Sequence, residues 1–173
     1  MKTTLLFLFI AIIPFVSNAQ VKNRREFKLN IGFETGLPVG NLAAGHSIGF
    51  GGSAEGDYSI SNVTDITVYG GYISFAGKTT NYAAGAGQTI VYKQSPYSII
   101  PLLAGCKFHF KEAFWGQPQL GMSFFNGGGS APTFAFGFGY LISKKIELSA
   151  KYQLATRSSS SVRFTGFRLA YIF

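Results

Sequence analysis

Residues 133–142 read TFAFGFGYLI. Phe134, Phe136, Phe138, Tyr140 and Ile142 occupy every second position, and Ala135, Gly137 and Gly139 lie between them. A period of two is the period of a strand, and this strand has one face of large apolar side chains and one of almost none. Any fold that accepts it must cover the bulky face with something other than water.

The same alternation recurs along the chain. Phe27, Leu29, Ile31, Phe33 and Leu37 alternate with Lys28, Asn30, Gly32, Glu34 and Gly36. Ile48, Phe50, Ala54, Tyr58 and Ile60 oppose Ser53, Glu55 and Asp57, while Gly49-Phe50-Gly51-Gly52 adds close packing or curvature. Ile100, Leu102, Ala104, Cys106, Phe108 and Phe110 oppose Lys107 and His109; Pro101, which has no N–H to give a ladder, is out of place there. Pro118, Leu120, Met122 and Phe124 oppose Gln117, Gln119, Gly121 and Ser123. Ile146, Leu148, Ala150, Tyr152 and Leu154 oppose Glu147, Ser149, Lys151 and Gln153, and a last run places Phe167, Leu169, Tyr171 and Phe173 against Arg168. Residues 64–75 form one more strand whose orientation stays open, with Ile66, Val68 and Tyr72 outward or Thr67, Tyr69, Ile73 and Phe75 outward.

These strands belong to a chain that is 47% hydrophobic and only 13% charged, where soluble domains average about 25% charged. No stretch after the N-terminal run approaches the roughly 20 apolar residues of a membrane helix. A closed barrel in lipid reconciles the two facts, because in hydrocarbon only helices and closed barrels satisfy every backbone polar group. The apolar face must then point outward. Its opposite carries Glu34, Glu55, Asp57, Lys107, Glu147, Lys151 and Arg168. Each Lys or Arg turned to lipid near the midplane would cost about 2–4 kcal/mol, against a total stability of about 5–15 kcal/mol. Inside, charges of both signs can pair, and the glycines leave them room. The expected fold is all-β: an eight-stranded antiparallel up-and-down transmembrane β-barrel over 27–173, with a packed polar interior and too little lumen for a wide pore.

Connections alternate in length. Those after the second, fourth and sixth strands are short; those after the first, third, fifth and seventh are longer, as in barrels with short periplasmic turns and long outer loops. Loop 77–97 is the longest. It carries Tyr82, Tyr92 and Tyr97, suited to contact with a partner, and has room for extended structure around 89–93. Residues 126–132, including Gly127-Gly128-Gly129, form a glycine-rich loop. Arg163 is out of phase with its strand, sharing a face with Phe167; it belongs either at the outer rim or beyond a bulge near Thr165 and Gly166, and the rim is the expectation.

At the N-terminus, Lys2, an apolar run and Ser17-Asn18-Ala19 describe a secretory signal peptide over 1–19. Residues 20–26 form a periplasmic lead. The chain is then exported, and its address is the cell outer membrane. Net charge is +8, with basic residues scattered rather than clustered; a solvated surface accounts for them, and in an exported protein they fit lipid phosphates better than nucleic acid.

The residues offer no catalytic, cofactor-binding or metal-ligating set. Cys106 is the sole cysteine and reads as a small apolar side chain. His46 falls in the first outer loop beside Ser47, and His109 falls at the inner end of a strand; neither has the partners of a catalytic group. Glu55 and Asp57 share a strand face, where ion pairing to Lys28, Lys107, Lys151 or Arg168 is expected rather than acid–base work. The glycine runs do not open a helix after a strand, as a phosphate loop requires.

The stretch IIPLLAGCKFHF at 99–110, followed by Gln119-Leu120-Gly121-Met122, resembles the recurring strand of the PorT/OmpX-like outer membrane protein beta-barrel family of Bacteroidetes type. The final strand, ending on Phe173, is similar to the terminal strand that the barrel-assembly machinery reads in such proteins. The resemblance implies insertion by that machinery, contact with outer-membrane lipid and lipopolysaccharide, and no shared catalytic motif. The expected function is therefore a non-enzymatic structural or interaction role through the outer loops, with an extracellular or periplasmic protein as a further partner. A lipid A-modifying enzyme working through His46 and an accessory component of protein export are the alternatives.

Overall fold

The computed structural model describes residues 26–83, 89–111, 113–157 and 161–173. The signal peptide at 1–19 and all of the lead except Glu26 lie outside them. Ten strands and one short helix follow in order: β1 (Phe27–Val39), α1 (Asn41–Gly45), β2 (His46–Ser59), β3 (Thr64–Gly77), β4 (Thr79–Ala83), β5 (Thr89–Lys93), β6 (Tyr97–His109), β7 (Phe114–Phe125), β8 (Ser130–Ser143), β9 (Ile146–Thr156) and β10 (Ser161–Ile172). Eight of them close a barrel in the order β1-β10-β9-β8-β7-β6-β3-β2. β4 and β5 pair only with each other, so the long loop holds the extended structure expected around 89–93.

Closure joins the first and last strands of the barrel. β10 runs antiparallel to β1 in unbroken register from Asn30↔Ile172 to Val39↔Arg163, and the Phe173 N–H donates to Leu29 O at 2.9 Å. With no edge left open, every strand of the barrel finds ladder partners on both sides, as a hydrocarbon environment demands.

The faces are those set by the alternation. Phe33, Phe50, Val68, Leu120, Phe138 and Leu169 stand on the outside, and neighbouring rings meet there, with Phe33 and Phe50 stacked at 6.2 Å and Phe114 and Tyr140 at 4.7 Å. Cys106 lies on this face between Gly105 and Lys107, partly exposed. The open question in β3 resolves with Ile66, Val68 and Tyr72 outward and Thr67, Tyr69, Ile73 and Phe75 inward. The pairing of β2 with β3 runs unshifted through Gly70 and Gly71.

Two prolines sit where the ladder skips. The β3–β6 register passes from Gly70↔Leu102 to Ile73↔Ile99, so Pro101 falls in the skipped interval. The β6–β7 register passes from Gly105↔Gln119 to Phe108↔Gly116, and Pro118 falls in that one. A missing N–H costs nothing where no bond is made.

Boundaries differ from expectation at the loop end. β8 begins at Ser130, which leaves a four-residue connection after Phe125 rather than a loop over 126–132. Gly128 and Gly129 adopt φ of 84° and 82°, a region in which only glycine is unstrained, so the glycine run is a tight turn. β2 begins at His46, not in the loop. Arg163 is exposed on the outside, paired across from Val39 at the last position of β1; the register through Thr165 and Gly166 has no bulge. It therefore stands at the loop-end rim.

Candidate functional site

The barrel interior has two halves. Toward the short turns it is ionic. The Lys107 ammonium donates to Asp57 Oδ2 at 2.7 Å, Glu55 Oε1 at 2.9 Å and Glu147 Oε2 at 3.3 Å, and it lies 4.5 Å from the centre of the Trp115 ring. Arg168 donates to Glu147 Oε1 at 3.2 Å and to Ser53 Oγ at 2.9 Å. Glu34 accepts from Lys151, Tyr69 and Ser53. Gln117 and Gln119 supply two more donors to Glu55 Oε2, and Asn30 donates to Asp57. All seven charged residues expected inside are there, and Glu55 and Asp57 form ion pairs with Lys107.

The glycines of these strands act as seats. A Cβ on Gly32 would fall 2.7 Å from the Arg168 Nε, and one on Gly139 would fall 2.0 Å from the Trp115 ring. Large inward groups thus lie flat over residues that have no side chain. A gap of about 20 Å³ remains beside Tyr69, Trp115 and Lys151, space for about one water.

Toward the loops the interior is apolar, which departs from the expected polar filling. Ile73, Phe75, Ile99, Phe125, Val162 and Phe164 pack together, with Leu42 of α1 closing over them. Phe75 and Phe164 meet edge-on at 5.3 Å, and Phe75 lies over Gly49 and Gly36, where a Cβ would come within 2.7 Å and 3.0 Å of its ring. Arg157 covers the top, donating to Gly128 O at 3.2 Å and lying 5.0 Å from the Phe125 ring.

The histidines occupy ordinary structural places. His46 is buried, with Nε2 3.2 Å from Ser95 O and its ring 5.5 Å from Tyr97; neighbouring Ser47 donates to Ala76 O instead. His109 contacts Asp65 Oδ2 at 2.8 Å at the edge of a hollow of about 430 Å³ at the turn end, which Lys28, Asp65 and Lys111 also line. Among the described residues no cluster of three or more His, Cys, Asp or Glu could hold a metal ion. Of the loop tyrosines, Tyr92 is exposed, Tyr97 turns inward and stacks on Phe125 at 5.8 Å, and the Tyr82 side chain lies outside the described residues.

The loop elements brace one another. Lys78 donates from its side chain to Ala43 O at 2.6 Å and from its backbone to Gly45 O at 2.8 Å. Asn126 Nδ2 donates to Pro96 O at 3.0 Å. The β4–β5 hairpin thus rises from a base tied to α1.

No family model matches the chain, and no curated protein does. Solved structures do. Ail, the attachment invasion locus protein of Yersinia pestis, aligns with a TM-score of 0.57 at 13% identity, over 86% of this chain and 99% of that one. OprG from Pseudomonas aeruginosa aligns with a TM-score of 0.50 at 9% identity, over 90% and 99%. The de novo designed TMB2.3 aligns with a TM-score of 0.50 at 15% identity, over 86% and 96%. At these identities the likeness is one of fold, a closed eight-stranded barrel of the outer-membrane type.

Proposed function

We propose that the protein is an integral barrel of the bacterial outer membrane, without a catalytic step of its own, that works through the surface of its loop end. The observation that carries this reading is the inversion of the molecule: charges paired inside, aromatic and aliphatic side chains outside. Such a molecule is stable where its wall meets hydrocarbon and unstable in water. The filled interior supports a structural or interaction role over transport. What projects from the barrel is the β4–β5 hairpin with exposed Val91 and Tyr92, the element best placed to meet a partner. The IIPLLAGCKFHF stretch supports membership of the PorT/OmpX-like group, and the signal-peptide pattern at 1–19 supports export and delivery to the barrel-assembly machinery. Lipid and lipopolysaccharide are the obligatory surroundings, and nucleic acid is not a partner.

The test is fractionation of cells together with gel mobility. The chain is expected in the outer-membrane fraction, migrating faster unheated than boiled, and silent in planar-bilayer conductance. Recovery of the mature chain from the periplasm without detergent would sink the reading. A change in lipid A composition lost on His46→Ala would move it to the enzyme class, and loss of secreted cargo on deletion would move it to an export accessory.

A further inference from the structure

The charges of the chain are sorted by height. The seven side-chain carboxylates are Glu34, Glu55, Asp57 and Glu147 inside the barrel, Glu26 and Asp65 at the turn end, and Glu112 in the sequence that joins β6 to β7. None belongs to the loop end, which carries Lys78, Lys93, Arg157 and Arg163. Two of these cations are folded over the mouth: Lys78 is tied to Ala43 O, and Arg157 to Gly128 O above the Phe125 ring. Lys93 stands on the hairpin, across from Thr79.

Arg163 differs from the other three. It is on the outer wall, in the face shared with Phe167 and Leu169. Its cross-strand neighbours are Val39 on β1 and Leu154 on β9, and Leu154 is in turn opposite Phe134. A guanidinium at the rim, flanked by aliphatic side chains on the outer wall, is open to an anion that reaches it from the side. Among the described residues its one hydrogen bond is from Nε to Ser161 Oγ at 2.9 Å. That bond uses Nε and leaves the two terminal nitrogens to take a phosphate through two parallel bonds. A soluble polyanion coming from above would meet Lys78, Lys93 and Arg157 first. A lipid headgroup lies beside the wall at the height of the strand ends.

We propose that Arg163, oriented by Ser161, binds a phosphate on the headgroup of an anionic outer-leaflet glycolipid and anchors the β9–β10–β1 side of the barrel to it. The proposal rests on the membrane reading above. It turns a residue that looks misplaced among lipid-facing side chains into a specific contact at the boundary, where basic side chains are drawn to anionic lipid.

The experiment uses the full mature chain refolded into nanodiscs of phosphatidylcholine with phosphorylated or enzymatically dephosphorylated lipopolysaccharide, with lipid retention read by native mass spectrometry. Retention of the phosphorylated glycolipid is expected to fall about fivefold in Arg163→Gln, the effect of removing one basic residue at an anionic surface. Arg163→Lys should recover part of it, Ser161→Ala should lower it by less than Arg163→Gln, and Arg157→Gln should leave it unchanged. Dephosphorylation should bring wild type to the level of Arg163→Gln. Equal retention by wild type and Arg163→Gln, or indifference of wild type to the phosphates, overturns the proposal. So does an Arg163-dependent affinity for heparin in micelles with no preference among lipids. Failure of the wild-type chain to insert at all refutes the membrane reading itself, and gel mobility of each variant separates that case from loss of the site.

Discussion

At one end of the barrel interior Phe75 meets Phe164 edge-on among Ile73, Ile99 and Phe125; at the other, Lys107 sits within 3.3 Å of three carboxylates. Both halves fill the same narrow tube, but they specify it differently. The apolar half needs volume and shape, and several combinations of side chains could supply them. The ionic half needs partners: Glu55 takes donors from Lys107, Gln117 and Gln119, and loss of one leaves charge stranded. The apolar half also serves the ionic one. With Leu42 and Arg157 above it, it keeps water from the mouth, and ion pairs are stronger where water is excluded.

The sharpest way to break the contrast is Lys107→Met. It leaves Glu55, Asp57 and Glu147 facing one another without their shared cation, and a barrel in phospholipid vesicles should lose about 3–5 kcal/mol in urea unfolding. Adding Glu55→Gln and Asp57→Asn should return part of that loss; a triple variant no better than Lys107→Met would show that volume, not charge, limits this half. Next is Gly139→Ala, which sets a methyl against the Trp115 ring and should cost about 1–3 kcal/mol by the same measurement. In the apolar half Ile99→Val removes one methylene from the packing around Phe75 and should cost only about 0.5–1.5 kcal/mol. The smallest effect belongs outside both halves. Tyr92→Ala on the exposed hairpin should leave stability within about 0.5 kcal/mol, although any partner that binds the hairpin should be weakened by it. A conductance measurement completes the comparison: Phe75→Ala with Phe164→Ala empties the loop half, yet the barrel should stay silent because the ionic half still closes it.

Much of this was legible in the chain. Wherever large apolar residues alternate with Glu, Lys, Gln or Gly, the side facing lipid follows from what the other side carries, and this placed Glu34, Lys107, Glu147 and Arg168 correctly. The apolar plug is harder to read, because an inward Phe and a lipid-facing Phe are the same letter. β3 is the clearest case, with bulk on both faces. A signal was present there: Asp65 shares its face with Thr67, Tyr69, Ile73 and Phe75, and a carboxylate in phase with them marks that face as inward. The same reasoning from Arg168 brings Phe164 and Val162 inside, and from Lys107 it brings Ile99 and Leu103 inside. Tyr97, in phase with Ile99 and Lys107 on β6, follows by the same reasoning; the α1 turn depends on contacts distant in sequence, which no local period encodes.

The pairing of β1 with β10 has a consequence in time. Seven of the eight barrel seams join barrel strands that follow one another along the chain, and five of those, such as β8 with β9, are simple hairpins. The eighth joins residue 30 to residue 172. Hairpins can zip as the chain is delivered, but this seam cannot begin until β10 has arrived, and it must first bring the first and last barrel strands together. Until then the assembling sheet has two bare edges, β1 and β10, each ready to pair with another molecule. Seam closure is therefore expected to be the slow and hazardous step of the barrel's assembly. Pairing across 30 and 172 should be the last to gain hydrogen-exchange protection, and a chain cut short of β10 should aggregate rather than insert.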